Sequence, residues 1–181
     1  MPTVFTHAVS AVALGTPLLP AGAGLRPWIL GVVCAALPDL DVLAFAFGIP
    51  YAAMLGHRGL SHSIAFALLL STVVTALALR RARWSNIRPR IWLYLFVAVA
   101  SHGILDAFTN GGLGIAFFAP FSRERYFFPV TPIEVAPIGR EFFSDRGLQV
   151  LASELRWVWL PSAALIAVSL GLRAVRARRP G

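Results

Sequence analysis

The chain has 181 residues, of which 57% are hydrophobic and 13% charged, and its mean hydropathy is +0.73. Soluble domains average roughly 25% charged residues, so the composition excludes an ordinary soluble protein and points to one membrane-embedded domain over residues 1–181. The net charge is +8 and every basic residue is an arginine, but the arginines fall mostly between and after the apolar segments, which argues for membrane topology and against nucleic-acid binding.

A bilayer-spanning helix needs about 20 mostly apolar residues, and five stretches qualify. The first, 3–19, "TVFTHAVSAVALGTPLL", is interrupted by Gly15 and Pro17. It lacks the basic start of a signal peptide and is expected to remain as the first helix. The second, 27–47, is broken by Pro38 and contains Cys34, which has no partner in the chain and is read as core packing. The third, 60–79, is the most uniformly apolar; the fourth is 91–108 and the fifth 156–172. Between the last two, 109–155 is rich in Gly, Pro and aromatic residues, as in "FFAPFSRERYFFP". Such a composition suits the headgroup region. It reads equally as a loop packed on the bundle and as a lipid-facing platform beside a site. Within it, 144–155 has the pattern of a short amphipathic helix. The predicted fold is therefore an all-α, polytopic integral membrane bundle of about five transmembrane helices, with a long aromatic-rich loop before the last.

Orientation follows from the short loops. Arg80, Arg81, Arg83, Arg88 and Arg90 crowd one loop, Arg26 lies in another, and Arg173, Arg176, Arg178 and Arg179 follow the last span. Arginine-rich short loops stay cytoplasmic. With five spans, the N-terminus is expected outside and the C-terminus inside.

On that topology the polar residues gather at one level. His7 lies near the outer end of the first span, and "PDLD" sets Asp39 and Asp41 in the outer part of the second. "HRGLSHS" brings His57 and His62 to the entry of the third, and "SHGILD" brings His102 and Asp106 to the outer end of the fourth. His102 and Asp106 are i,i+4 and share a helix face. Asp39 and Asp41 are i,i+2, which a regular helix would point apart; Pro38 favours a break that could turn both inward. Ionisable groups at membrane depth are costly and tend to be functional. Imidazoles with carboxylates are the ligand set of zinc, manganese or iron. Seven candidates exceed the four ligands of a single zinc, which points to two ions. Arg58 is read as a phosphate contact, with an ion pair to Asp39 or Asp41 as its structural alternative. Ser61 and Ser63 are read as helix caps, Asn110 as support for a ligand or a cap, and Glu134 as a surface acid.

The order "TH", "PDLD", "HRGLSHS", "SHGILDAFTN" resembles the YdjM-like family of membrane-bound, metal-dependent hydrolases, from His7 to "VTPIEVAPIG". The resemblance implies metal-dependent hydrolysis, with His7, Asp39, Asp41, His57, His62, His102 and Asp106 matching the family's histidines and aspartates. A weaker likeness, in the His-x-x-x-Asp spacing of "HGILD", is to zinc-dependent phospholipase C and related nucleases.

The expected protein is thus a membrane hydrolase holding one or two divalent ions, zinc first and manganese or iron as alternatives. The expected bond is a phosphoester in a lipid or lipid-linked substrate. Asp41 is expected to take a proton from water, Arg58 to stabilise developing charge, and Asp106 to act in both binding and catalysis. The expected location is a bacterial or archaeal cell membrane, with the site on the extracytoplasmic side. The rival function is a metal transporter or non-hydrolytic metal-binding protein, disfavoured because transport sites usually lie at the midplane between repeats.

Overall fold

The structure, a computed structural model, describes residues 1–137 and 139–178; Arg179, one of the arginines used for orientation, lies outside them. The α-helices are α1 (Val4–Leu18), α2 (Leu25–Ala36), α3 (Ile64–Ala78), α4 (Arg88–Ala107), α5 (Asp145–Glu154) and α6 (Leu160–Ala177). Among the described residues, β structure is limited to two isolated bridges, Thr109 with Ile133 and Ile115 with Tyr126. The all-α expectation holds.

The breaks have local causes. Proline lacks an N–H, and its ring crowds the carbonyl four residues back. At Pro38 α2 accordingly tightens into a 3-10 run, Leu37–Phe47, which Gly48 closes in the left-handed region at φ 71°. Eleven residues is long for a 3-10 run, a geometry used mostly in short pieces. α3 begins at Ile64 because the Ser63 hydroxyl accepts the Phe66 N–H at 3.0 Å. α5 and α6 are joined by a π-helical turn, Leu155–Trp159, so the last helical run extends from Asp145 to Ala177. The amphipathic segment expected within the long loop is therefore continuous with the last helix.

Among the described residues, three helical runs are long and apolar enough to cross a bilayer: Leu25–Phe47, Arg83–Ala107 and Asp145–Ala177. α1 and α3 are apolar but have only 15 residues each, short of the ~20 a straight crossing needs. The sequence expectation of five full-length spans is met by three. α1 ends where Leu19 turns extended, and α3 starts only after the Leu60–His62 turn.

α4 lies at the centre and packs against α1, α2 and α3, while α6 packs along α1. Small buried residues at the crossings, Ala11, Ala35, Ala67 and Ala98, let the backbones approach, and Cys34, Tyr94 and Leu95 fill the gaps between them. Close packing through small residues is the usual basis of helix association in lipid. α6 presents Leu160, Leu165, Val168, Leu170, Leu172 and Val175 outward, an apolar face suited to hydrocarbon.

The last helical run also grips α1 at both ends. Glu154 accepts the Thr3 N–H at the N-terminus of α1, and Arg173 donates to the Thr16 and Leu19 carbonyls at its C-terminus. An anion at the positive end and a cation at the negative end both favour the helix dipole. The long loop is tied down by Arg125, whose guanidinium donates to the carbonyls of Tyr51, Ala53 and His57 at 3.1, 3.2 and 3.1 Å. Phe121 and Phe143 stand out from it, 90% and 88% exposed.

Candidate metal centre

Four elements bring the polar residues to one end of the bundle. α1 contributes His7, the 3-10 run Asp39 and Asp41, the turn before α3 His57, Arg58 and His62, and α4 His102 and Asp106. The 3-10 geometry lets both aspartates of "PDLD" turn inward, as the Pro38 break suggested. Gly103 permits the closest approach of α4 to the turn: a Cβ there would lie 2.7 Å from the His62 carbonyl oxygen.

Six of the seven expected residues divide into two groups that share His62. In the first, Asp39, His62, His102 and Asp106 offer donor atoms all within 4.8 Å of one another; in the second, Asp41, His57 and His62 do so. His7 belongs to neither group but adjoins the first. Its Nε2 lies 3.9 Å from Asp39 Oδ2 and 3.7 Å from Asp106 Oδ1, and its ring stacks on His102 with centroids 3.7 Å apart.

Hydrogen bonding decides what the first group can do. His102 Nδ1 lies 2.7 Å from the Ala35 carbonyl. A carbonyl only accepts, so Nδ1 carries the hydrogen and a neutral ring leaves Nε2 bare. His62 Nδ1 faces Asp41 Oδ2 at 3.2 Å, which likewise directs its Nε2 lone pair into the group. Those two Nε2 atoms face each other at 3.1 Å. At that distance either a proton on His62 Nε2 is donated to His102 Nε2, or, with both rings neutral, the two lone pairs repel unless a cation lies between or beside them. Asp39 Oδ1 lies 3.3 Å from His102 Nε2 and 3.8 Å from His62 Nε2, and Asp106 Oδ2 lies 3.6 Å from His62 Nε2. Tetrahedral ligands bound at about 2.0–2.1 Å stand about 3.3–3.4 Å apart; the donor spacings of 3.1 to 3.8 Å bracket that value. Both nitrogens of His7, Asp39 Oδ1 and Asp106 Oδ1 are buried without a hydrogen-bond partner, while Asp106 Oδ2 is ion-paired with Arg58. Buried polar atoms are almost always partnered, and so many orphans in one place suit a cation. The residues present fit a divalent ion.

The second group is different, because its polar atoms are already satisfied. Asp41 lies 2.6 Å from His57 Nδ1, receives the Ser61 hydroxyl at 2.5 Å and accepts the Arg58 N–H at 3.1 Å, besides facing His62. Its place beside His62 Nδ1 is that of a carboxylate that would set the tautomer and orientation of the ring. Tyr51 stands edge-on to His57 at 5.1 Å between centroids; burial pushes its phenol above the ordinary pKa, against the pull of Arg58.

Arg58 is fully buried and holds a left-handed backbone at φ 61°, a strained conformation for a bulky residue. Its Nε lies 3.0 Å from Asp106 Oδ2, Nη1 donates to the Gly111 carbonyl at 2.6 Å and Nη2 to the Thr109 hydroxyl at 2.9 Å. The acid it pairs with is Asp106, not the Asp39 or Asp41 weighed from the sequence. Ser63 is a cap, whereas Ser61 serves Asp41. Asn110 accepts the Val135 N–H. Glu134 lies outside both groups and pairs with Arg146 at 2.7 Å; Asn110 first and then Arg146 hold its carboxyl below the ordinary range. Thr109, Gly111 and the Ala35 carbonyl escaped the sequence reading, because backbone acceptors and a lone threonine leave no pattern.

One cavity meets the first group. It has a volume of about 360 Å³, its lining includes Met1, Val4, Phe5, Phe142 and Phe143, and it reaches Asp39.

The YdjM inner membrane protein family matches this chain over residues 1–179. The inner membrane protein YbcI of Escherichia coli (strain K12) is 41% identical over 167 residues, covering 92% of this chain and 95% of that protein. No solved structure matches.

Proposed function

The chain belongs to the YdjM inner membrane protein family, and we propose that it is a membrane-embedded hydrolase that works with a divalent cation, zinc ahead of manganese or iron. The observation behind this reading is the facing pair of imidazole nitrogens, His62 and His102 Nε2, 3.1 Å apart beside the carboxylates of Asp39 and Asp106. Those four residues are the proposed holders of the ion, which when bound supplies Lewis acidity and a water acidified toward neutral pH. His7 borders the same carboxylates, and its free nitrogens make it a fifth donor or the partner of a second ion. Asp41, with His57 and Ser61 around it, orients His62. Arg58 fixes Asp106 and offsets its charge.

The proposed substrate is a phosphoester of a lipid or lipid-linked compound. The apolar cavity reaching Asp39 supports this, because it would admit a hydrocarbon chain to the edge of the site. The extracytoplasmic side is favoured by the arginines at the opposite end of α4, Arg88 and Arg90, since arginine-rich short loops stay cytoplasmic.

The test is metal analysis of purified protein beside the His102→Ala, Asp106→Ala double variant. Stoichiometric metal in the parent and loss in the variant is the expected result; equal content in both refutes the reading. Phosphoesters and phospholipids offered to the loaded protein then separate hydrolysis from transport, since transport would give uptake into vesicles without turnover.

A further inference from the structure

The carboxylate of Glu154 has no place in either group of donors, yet it is completely buried. It sits at the end of α5, where the helix passes into the π turn. Its Oε1 accepts the Thr3 N–H at 2.5 Å; its Oε2 accepts the hydroxyls of Thr3 and Thr6, each at 2.7 Å. Thr6 in turn accepts the indole N–H of Trp159 at 2.7 Å, from the far end of the same π turn. Buried carboxylates are rare unless paired, and this one is paired only with the first turn of α1. π turns inside helices occur frequently at functional sites. Here the turn separates Glu154 and Trp159 so that both reach Thr6. The next residue is His7, whose ring nitrogens have no hydrogen bond to hold them. Its place therefore depends on the stacking on His102 and on the register of the helix turn that Glu154 caps.

We propose that Glu154, through Thr3 and Thr6, is the positioning residue for His7, and that Trp159 reinforces it. The inference rests on the metal-dependent reading of the centre and adds a residue more than 140 positions away in sequence. Loss of an outer partner of a metal site typically weakens metal affinity 10–100-fold.

The experiment is a double-variant cycle on the full chain in detergent, with zinc affinity and the cobalt(II) absorption spectrum as readouts. Glu154→Gln keeps the shape but turns an amide N–H₂ toward donors. It should weaken zinc roughly tenfold and change the cobalt spectrum in the direction that His7→Ala does. Trp159→Phe is the milder second variant, for use should Glu154→Gln fold poorly, and should act in the same sense. In a His7→Ala background, Glu154→Gln should change zinc affinity less than about twofold, because the residue it positions is gone. A purely structural cap would lower the melting temperature and leave the spectrum of the folded fraction unchanged. Unchanged affinity and spectrum in both variants overturn the proposal, as does an equal loss with and without His7. A parent protein that binds no divalent ion overturns the metal reading itself, and this inference with it.

Discussion

The Arg58–Asp106 pair makes the sharpest demand on the fold. Both side chains are fully buried, and Arg58 Nε lies 3.0 Å from Asp106 Oδ2. Asp106→Asn changes almost no volume, so cavity terms drop out and the perturbation is electrostatic. It leaves a guanidinium in the interior with neutral acceptors, among them the Gly111 carbonyl and the Thr109 hydroxyl, and without the negative charge of Asp106. Removing one member of a buried ion pair costs about 3–5 kcal/mol. In a domain of this length 1 kcal/mol shifts the melting temperature by about 2–4 °C, so metal-free protein should melt roughly 6–20 °C lower. Cys34 supplies the assay: the single cysteine is buried against the core, so a thiol-reactive fluorophore labels it as the bundle opens. Arg58→Met on the Asp106→Asn background should recover part of the loss, with a coupling of at least about 1 kcal/mol. Strictly additive shifts, or a drop below 2 °C for Asp106→Asn, measured in chelator and taken against the ~6 °C floor, would refute the claim that the pair is buried and mutually dependent.

The other expectations concern the centre and the loop beside it. Asp41→Asn should weaken zinc 10–100-fold, because His62 loses the acceptor that fixes its tautomer; isothermal titration reads this directly, and an unchanged affinity removes Asp41 from that role. Gly103→Ala should impair metal retention although it changes no ligand, because the added Cβ would stand 2.7 Å from the His62 carbonyl; wild-type metal content in this variant contradicts the close approach. The Glu134 carboxyl is held below the ordinary range, so its pairing with Arg146 stabilises the loop at neutral pH and is lost as pH falls through its lowered pKa. Hydrogen exchange in residues 134–136 and 139–146, corrected for intrinsic rates, should therefore quicken in acid below the usual glutamate range. Arg146→Gln should quicken it already at pH 7, and no difference between the two proteins would set the pair aside.

Much of the centre was legible along the chain. "PDLD" after an apolar run, "HRGLSHS" before another and "SHGILD" inside a third supply the ligand types, and hydropathy with arginine bias brings them to one level of the bundle. Pro38 announced the break that turns Asp39 and Asp41 to adjacent groups. The number of full spans was less legible, since hydropathy measures how apolar a stretch is and not where a cap such as Ser63 begins the helix. Glu154 was missed altogether: an acid in "SELRW" looks like the polar face of a surface helix until α1 is laid against it.

Composition and residue order were enough to establish an all-helical membrane protein carrying an imidazole–carboxylate cluster, because hydrophobic transfer and the cost of charge in lipid act residue by residue. Distance in three dimensions alone decided that Asp41 faces His57 and His62 Nδ1 while Asp39 faces the Nε2 atoms of His62 and His102, that Arg58 answers to Asp106, and that the last helix holds the first at both ends. Those assignments depend on which lone pairs face each other within hydrogen-bond reach. Side chains acquire that relation only when helices far apart in sequence pack together.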